Sequence, residues 1–167
     1  MADNGLGSIT ATILPDEVKA TLTGACNYTP ATGEKWVYKQ ASITNVADAE
    51  IFATSDEFFG NAAASDSVAT GDIVKWIAIK HTGTTNGILS TTEGILLSQA
   101  SGSLAYDGTG ANSGILIEPH DLFVAKFDGT TVADLHARTV AMTGQTPTNN
   151  GSSSGVLVYV AAIIEES

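Results

Sequence analysis

The sequence predicts an all-β protein, a sandwich of about nine or ten short antiparallel strands. Three observations lead there. Val, Ile and Thr are abundant, and β-branched side chains fit a pleated surface better than a helix. Leu, Glu, Lys, Arg and Gln, the straight-chain helix formers, are scarce. The 17 glycines fall between short apolar runs and read as turns.

Ser8–Leu14 is the first predicted strand, ended by Pro15, and Val18–Thr23, alternating Val18, Ala20 and Leu22, is the second. The loop Gly24–Gly33 follows. Lys35–Asn45 alternates Trp36, Tyr38, Gln40 and Ser42 against Val37, Lys39, Ala41 and Ile43, the two-residue period of a strand. A tight connection at Asn45–Asp48 leads to the strand Ala49–Thr54. Glu57–Ala69 is small, polar and aperiodic, and reads as a loop with Phe58 and Phe59 tucked beneath it. Asp72–His81 is the strongest strand signal. After Gly83–Gly87 come the short runs Ile88–Thr91 and Gly94–Ser98, and then an exposed Gly- and Ser-rich loop, Gly102–Gly114. Gly114–Glu118 and Asp121–Phe127 are strands parted by Pro119, which cannot donate to a ladder and marks a corner. Asp128–Gly129 signals a hairpin into Val132–Thr143. Gly144–Gly155 reads as flexible, and Val156–Ile164 is the last strand. No fixed repeat, dividing linker or βαβ rhythm interrupts this order. The expected organisation is a flexible arm over residues 1–8 and one sandwich domain over residues 9–167, of the jelly-roll type.

Two strands carry more apolar residues than a sandwich core requires. In Asp72–His81, Ile73, Ile77 and Ile79 share one face, while Val74, Trp76 and Ala78 share the other. In Val156–Ile164, Val156, Val158 and Val160 oppose Leu157, Tyr159 and Ile163. A strand of a two-sheet sandwich needs one apolar face. A loop or another subunit must cover the second, and Trp76, Ile77, Ile79, Val158 and Tyr159 are the candidate interface of a homo-oligomer.

Charge narrows the function. Lys and Arg number 7 against 18 Asp and Glu, for a net charge of −11. Such a chain has no electrostatic footprint for nucleic acid and no basic cluster for an anionic membrane. Its apolar runs are too short to span a bilayer as helices. Met1–Thr10 lacks the basic start and apolar stretch of a secretory signal, so export by that route is not expected. Cys26 stands alone, which excludes an internal disulfide framework and a cysteine-rich zinc site.

The catalytic motifs are missing. No Ser sits in a Gly-x-Ser-x-Gly elbow, and Cys26 has no base signature beside it, so no enzyme is expected. Asp134, His136 and Arg138 occupy alternate positions of one predicted strand, and read as a polar ladder on a solvated or intersubunit face rather than as a metal or acid–base group. His120 and Asp121 could meet His136, but zinc needs three or four convergent ligands. Asp107–Gly108 and Asp128–Gly129 lack the spaced carboxylates of a calcium loop and are better read as turns. No metal or cofactor is expected. Trp36, Tyr38 and Trp76 could stack on sugars, though mid-strand aromatics more often serve packing or an interface.

The segment from Lys35 to Asn45 ends a strand on Asn and restarts at Ala49-Glu-Ile-Phe-Ala53. Later, Gly114-Ile-Leu-Ile-Glu-Pro-His-Asp121 introduces Leu122-Phe-Val-Ala-Lys126, followed by Val132-Ala-Asp-Leu-His-Ala137. This order, over residues 35–164, resembles small jelly-roll virion proteins of tailed bacteriophages. The run Asp72–Thr84 is similar to structural proteins of marine cyanophages. Where the family's corner carries Gly, this chain has His120, so the resemblance by itself does not establish a left-handed turn there. The resemblance implies a capsid decoration or cement protein, made in the host cytoplasm and placed on the outer head surface. Its implied partners are the major capsid protein and its own copies, a trimer in particular. A glycan- or receptor-binding module of a fibre or tail is the alternative.

Overall fold

The computed structural model describes residues 5–13, 20–46, 49–59, 66–85, 89–99, 114–144 and 146–167. Among them the chain is all-β apart from one turn of 3-10 helix at Val132–Asp134. The strands are β1 (Ser8–Ile13), β2 (Ala20–Ala25), β3 (Glu34–Ile43), β4 (Ile73–Thr85), β5 (Leu89–Ser90), β6 (Gly94–Gln99), β7 (Ile115–Ile117), β8 (Leu122–Lys126), β9 (Leu135–Thr143), β10 (Thr146–Asn150) and β11 (Val156–Glu165).

Two antiparallel sheets form the body. One runs β3-β11-β4, with β8 and the short β5 both paired to β4; the other runs β10-β9-β6-β7. The sheets face one another across a single core. Val37, Ile77, Ile79, Val156, Val158, Val160, Ala162 and Ile164 come from the first, and Ile95, Leu97, Ile117, Leu135 and Ala137 from the second. Period-two alternation produces this directly, since every second residue of β11 from Val156 to Ile164 is buried on the inner face. In β4 the alternation slips by one: Ile163 stands opposite Trp76, but Ile164 stands opposite Val74. The extra residue is Lys75, and the bulge lets Val74 join Ile77 and Ile79 in the core although the intervals are unequal.

Several expectations needed correction. Ala49–Thr54 pairs only briefly, through the Glu50–His136 bridge and backbone bonds joining Ile51 to Leu135 and Ala137 to Ala49. Phe52 and Phe58 are buried as anchors of this stretch, while Phe59 lies 76% exposed. Asp128–Gly129 is not a hairpin between neighbours, because β8 pairs with β4 and β9 belongs to the other sheet. The chain crosses instead, held by the Val74 N–H on the Thr130 carbonyl and the Val132 N–H on the Asp72 carbonyl. Part of Gly144–Gly155 is not loop but β10, an edge strand folded back on β9 with its irregularity between Pro147 and Asn149. His120 does take the left-handed conformation, with φ 71°. Its ring packs over Gly83, itself at φ 76°, and its carbonyl accepts from Lys80 Nζ. Most of the expected loop Gly102–Gly114 and residues 1–4 of the expected arm lie outside the described residues; Gly5 and Gly7 are buried.

β1 and β2 form a third, separate two-stranded sheet. Gly5–Tyr28 and Gly7–Cys26 backbone bonds extend its pairing at the foot, and Trp76 Nε1 of β4, donating to the Cys26 carbonyl, ties that foot to the body.

Candidate functional site

The outer face of the β3-β11-β4-β8 sheet is where the surplus apolar residues come together. Register arranges them in three cross-strand rows. Trp36, Ile163, Trp76 and Lys126 make the first; Tyr38, Ala161, Ala78 and Val124 the second; Gln40, Tyr159, Lys80 and Leu122 the third.

The first row is closed by the chain itself. Trp76 Nε1 donates to the Cys26 carbonyl at 2.9 Å, and the ring lies edge-on to Trp36 with centroids 5.7 Å apart. Gly5 presses on Trp76 and Ile163 so closely that a Cβ there would stand 3.0 Å from the indole. A Cβ at Gly7 would stand 2.9 Å from Val124. Backbone without side chains is what fits over these bulky residues. Beside this cover, Tyr28 donates to Glu34 at 2.7 Å. Burial, and then this carboxylate, push its hydroxyl up to about 12.

Apart from Val124 beneath Gly7, the other two rows are open. Tyr38 is 61% exposed, Tyr159 43% and Leu122 59%. The Tyr38 and Tyr159 rings are parallel within 5°, with centroids 6.4 Å apart. Beyond the free edge of β3, Phe59 donates its N–H to the Trp36 carbonyl. Because Ala161 is small and its neighbours are large, Trp36, Tyr38, Phe59 and Ala161 enclose a groove of about 330 Å³.

Of the predicted interface residues, Trp76, Ile77, Ile79 and Val158 are therefore not on a free surface. Ile77, Ile79 and Val158 fill the core between the sheets, and Trp76 is covered by the segments at Gly5 and Cys26. Tyr159 alone of that group remains open. Nor do Asp134, His136 and Arg138 form a ladder on one strand. Asp134 belongs to the 3-10 turn, where its carboxylate accepts from the Thr131 hydroxyl at 2.7 Å. His136 is buried, with Nε2 donating to the Ala133 carbonyl at 3.0 Å. Arg138 stands opposite Leu96, half-buried.

Three cations near this sheet are committed to internal carboxylates. Lys35 pairs with Asp66 and Glu166, Lys39 with Asp56, and Lys75 with Glu165. The hydrogen bond with Lys35 holds the Asp66 carboxyl below its ordinary range and raises the Lys35 ammonium. Among the described residues no three His, Cys, Asp or Glu side chains are placed to hold a metal ion. What the open part of the face offers is flat aromatic surface and a groove, the chemistry of contact.

Phe59 was missed from sequence because it sits in an aperiodic stretch. The Tyr38–Tyr159 pair was legible strand by strand but not as a pair, since register across strands is a tertiary property. No known protein family, curated protein or solved structure matches the chain.

Proposed function

We propose that this chain is a structural protein of a tailed-phage virion, a decoration protein on the outer capsid surface that stabilises the shell by self-association and by contact with the major capsid protein. The observation that carries the reading is strand order. One sheet runs β3, β11, β4, β8; the other runs from the Glu50 bridge through β9 and β6 to β7. From β3 onward, through the Glu50 bridge, the chain crosses between the sheets at every step except β4 to β5, β6 to β7 and β9 to β10, and the last strand, β11, inserts between β3 at the sheet edge and β4. That supports a jelly roll, the fold implied by the resemblance in residues 35–164. The charge of −11 supports an external position, since it would be repelled by packaged phosphate.

The test is cosedimentation with purified capsids lacking the protein. Saturable binding at a fixed ratio to the capsid protein is the expected result. Failure to bind capsids, or a crosslink to packaged DNA, would remove the proposal. The exposed aromatic rows favour one second reading, a glycan-binding module. It requires saturable quenching of Trp36 fluorescence by oligosaccharides, with no capsid binding.

A further inference from the structure

A sheet edge presents a row of backbone donors and acceptors, and proteins blunt such rows against chance pairing. Among the described strands, β5 and β7 span two and three residues, β10 is irregular at Pro147, and β8 runs from beside Asp121 to its own Lys126. The edge at β3 is different. It is ten residues long, lies at the end of its sheet, and pairs with β11 without irregularity.

The side of β3 turned away from β11 can be read residue by residue. In an antiparallel pair, alternate residues point both backbone groups at the neighbouring strand, and those between point both away. Trp36 is of the second set, because its carbonyl accepts from the Phe59 N–H beyond the edge. Tyr38, Gln40 and Ser42 share its parity. So does Thr44, just past the strand, whose carbonyl accepts from the Thr139 N–H. Both ends of the row are thus used within the chain. Between them Tyr38, Gln40 and Ser42 are exposed, and their outward backbone groups meet no partner among the described residues.

This open stretch is symmetric about Gln40. A two-fold axis there lays β3 of a second copy antiparallel to the first, with Gln40 opposite its own counterpart and Tyr38 opposite Ser42 of the partner subunit. Each opposed pair then exchanges both of its backbone bonds, and the open groups are satisfied. Charge favours the same contact. Tyr38, Gln40 and Ser42 carry none, and Lys39 between them belongs to the other face, paired with Asp56. On a chain of net charge −11, an uncharged edge is where two copies can meet with least like-charge repulsion.

We propose that β3 pairs with β3 of a second copy across a two-fold axis at Gln40, joining two sheets into one. The contact is isologous, so it closes as a dimer. This inference rests on the self-association reading and names the surface and the symmetry that would carry it.

The test is sedimentation velocity across a concentration series, with circular dichroism checking that each chain folds. The Gln40 N–H faces away from β11, so Gln40→Pro removes an outward donor and sets its ring against the incoming strand without costing a β11 bond. It is expected to weaken dimerisation about tenfold or more, whereas Gln40→Thr, which keeps the N–H, should associate like wild type. Gln40→Asp and Gln40→Lys each set like charges opposite one another at the axis and should weaken association alone; mixed, the two chains should recover it as a heterodimer. These charged variants decide the matter should Gln40→Pro fail to fold. A wild type that stays monomeric at micromolar concentration defeats self-association and this contact together. Association unchanged in a folded Gln40→Pro or in the charged variants, or not restored by mixing them, overturns the β3 contact while self-association stands.

Discussion

His81 shows how one buried residue sets a pH dependence. It is fully buried on β4, with Nδ1 accepting from the Gly83 N–H at 2.9 Å and Nε2 donating to the Glu93 carbonyl at 3.0 Å. That arrangement needs the neutral ring, because a proton on Nδ1 would face the N–H of Gly83. Burial holds the pKa below the ordinary 6.5; the Glu93 carbonyl and Asp121 oppose the shift, and His120 and Lys80 reinforce it. Between 6.5 and the lower folded value, the unfolded chain binds more protons at this site, so stability rises with pH across that window and falls on acidification. We expect the melting temperature to drop between about pH 7.5 and about pH 5.5, and to drop less in His81→Asn. Equal pH slopes in the two proteins would contradict this. Gly83 supports the same corner. In Gly83→Ala the positive φ costs about 1–2 kcal/mol, and the His120 ring must swing aside; an unchanged urea midpoint would refute it.

At the scale of elements, the N-terminal segment and β4 form one unit. Trp76 is 4% exposed because Gly5 and Cys26 lie over it. Trp76→Phe keeps most of the packing but leaves the Cys26 carbonyl without this donor, a loss of about 1 kcal/mol. Trp76→Ala adds a cavity and should cost about 3–5 kcal/mol. Gly5→Val tests the cover itself. Its side chain needs space that Trp76 and Ile163 occupy, so the segment should lift and the tryptophan emission shift to the red. Emission unchanged in a folded Gly5→Val protein would mean that the segment does not seal this row.

For the molecule as a whole, charge and apolar surface act against one another. A net charge of −11 disfavours the compact state by self-repulsion, which salt screens over a Debye length of about 10 Å at 0.1 M. The ion pairs of Lys35, Lys39 and Lys75 are partly exposed and contribute little that salt could remove. Thermal stability should therefore rise from low salt to about 0.5 M, with scanning calorimetry as the measurement. A fall would mean that the ion pairs outweigh the repulsion.

The sequence by itself determined the all-β class, the bounds of β3, β4, β8 and β11 to within a few residues, and the presence of more apolar strand surface than one core can use. Those are local properties: β-branched composition, period two, and turn residues between runs. Tertiary structure decided where the surplus went. Trp36, Trp76 and Ile163 lie far apart in the chain, and only cross-strand register sets them in one row. Only the path of the N-terminal segment closes that row while leaving Tyr38, Tyr159 and Phe59 open. The bulge at Lys75 is likewise invisible in the sequence pattern, yet it turns Val74 inward beside Ile77. Alternation specifies two faces for each strand; which face meets core, which meets a returning segment and which meets solvent depends on partners distant in sequence, and local chemistry does not choose them.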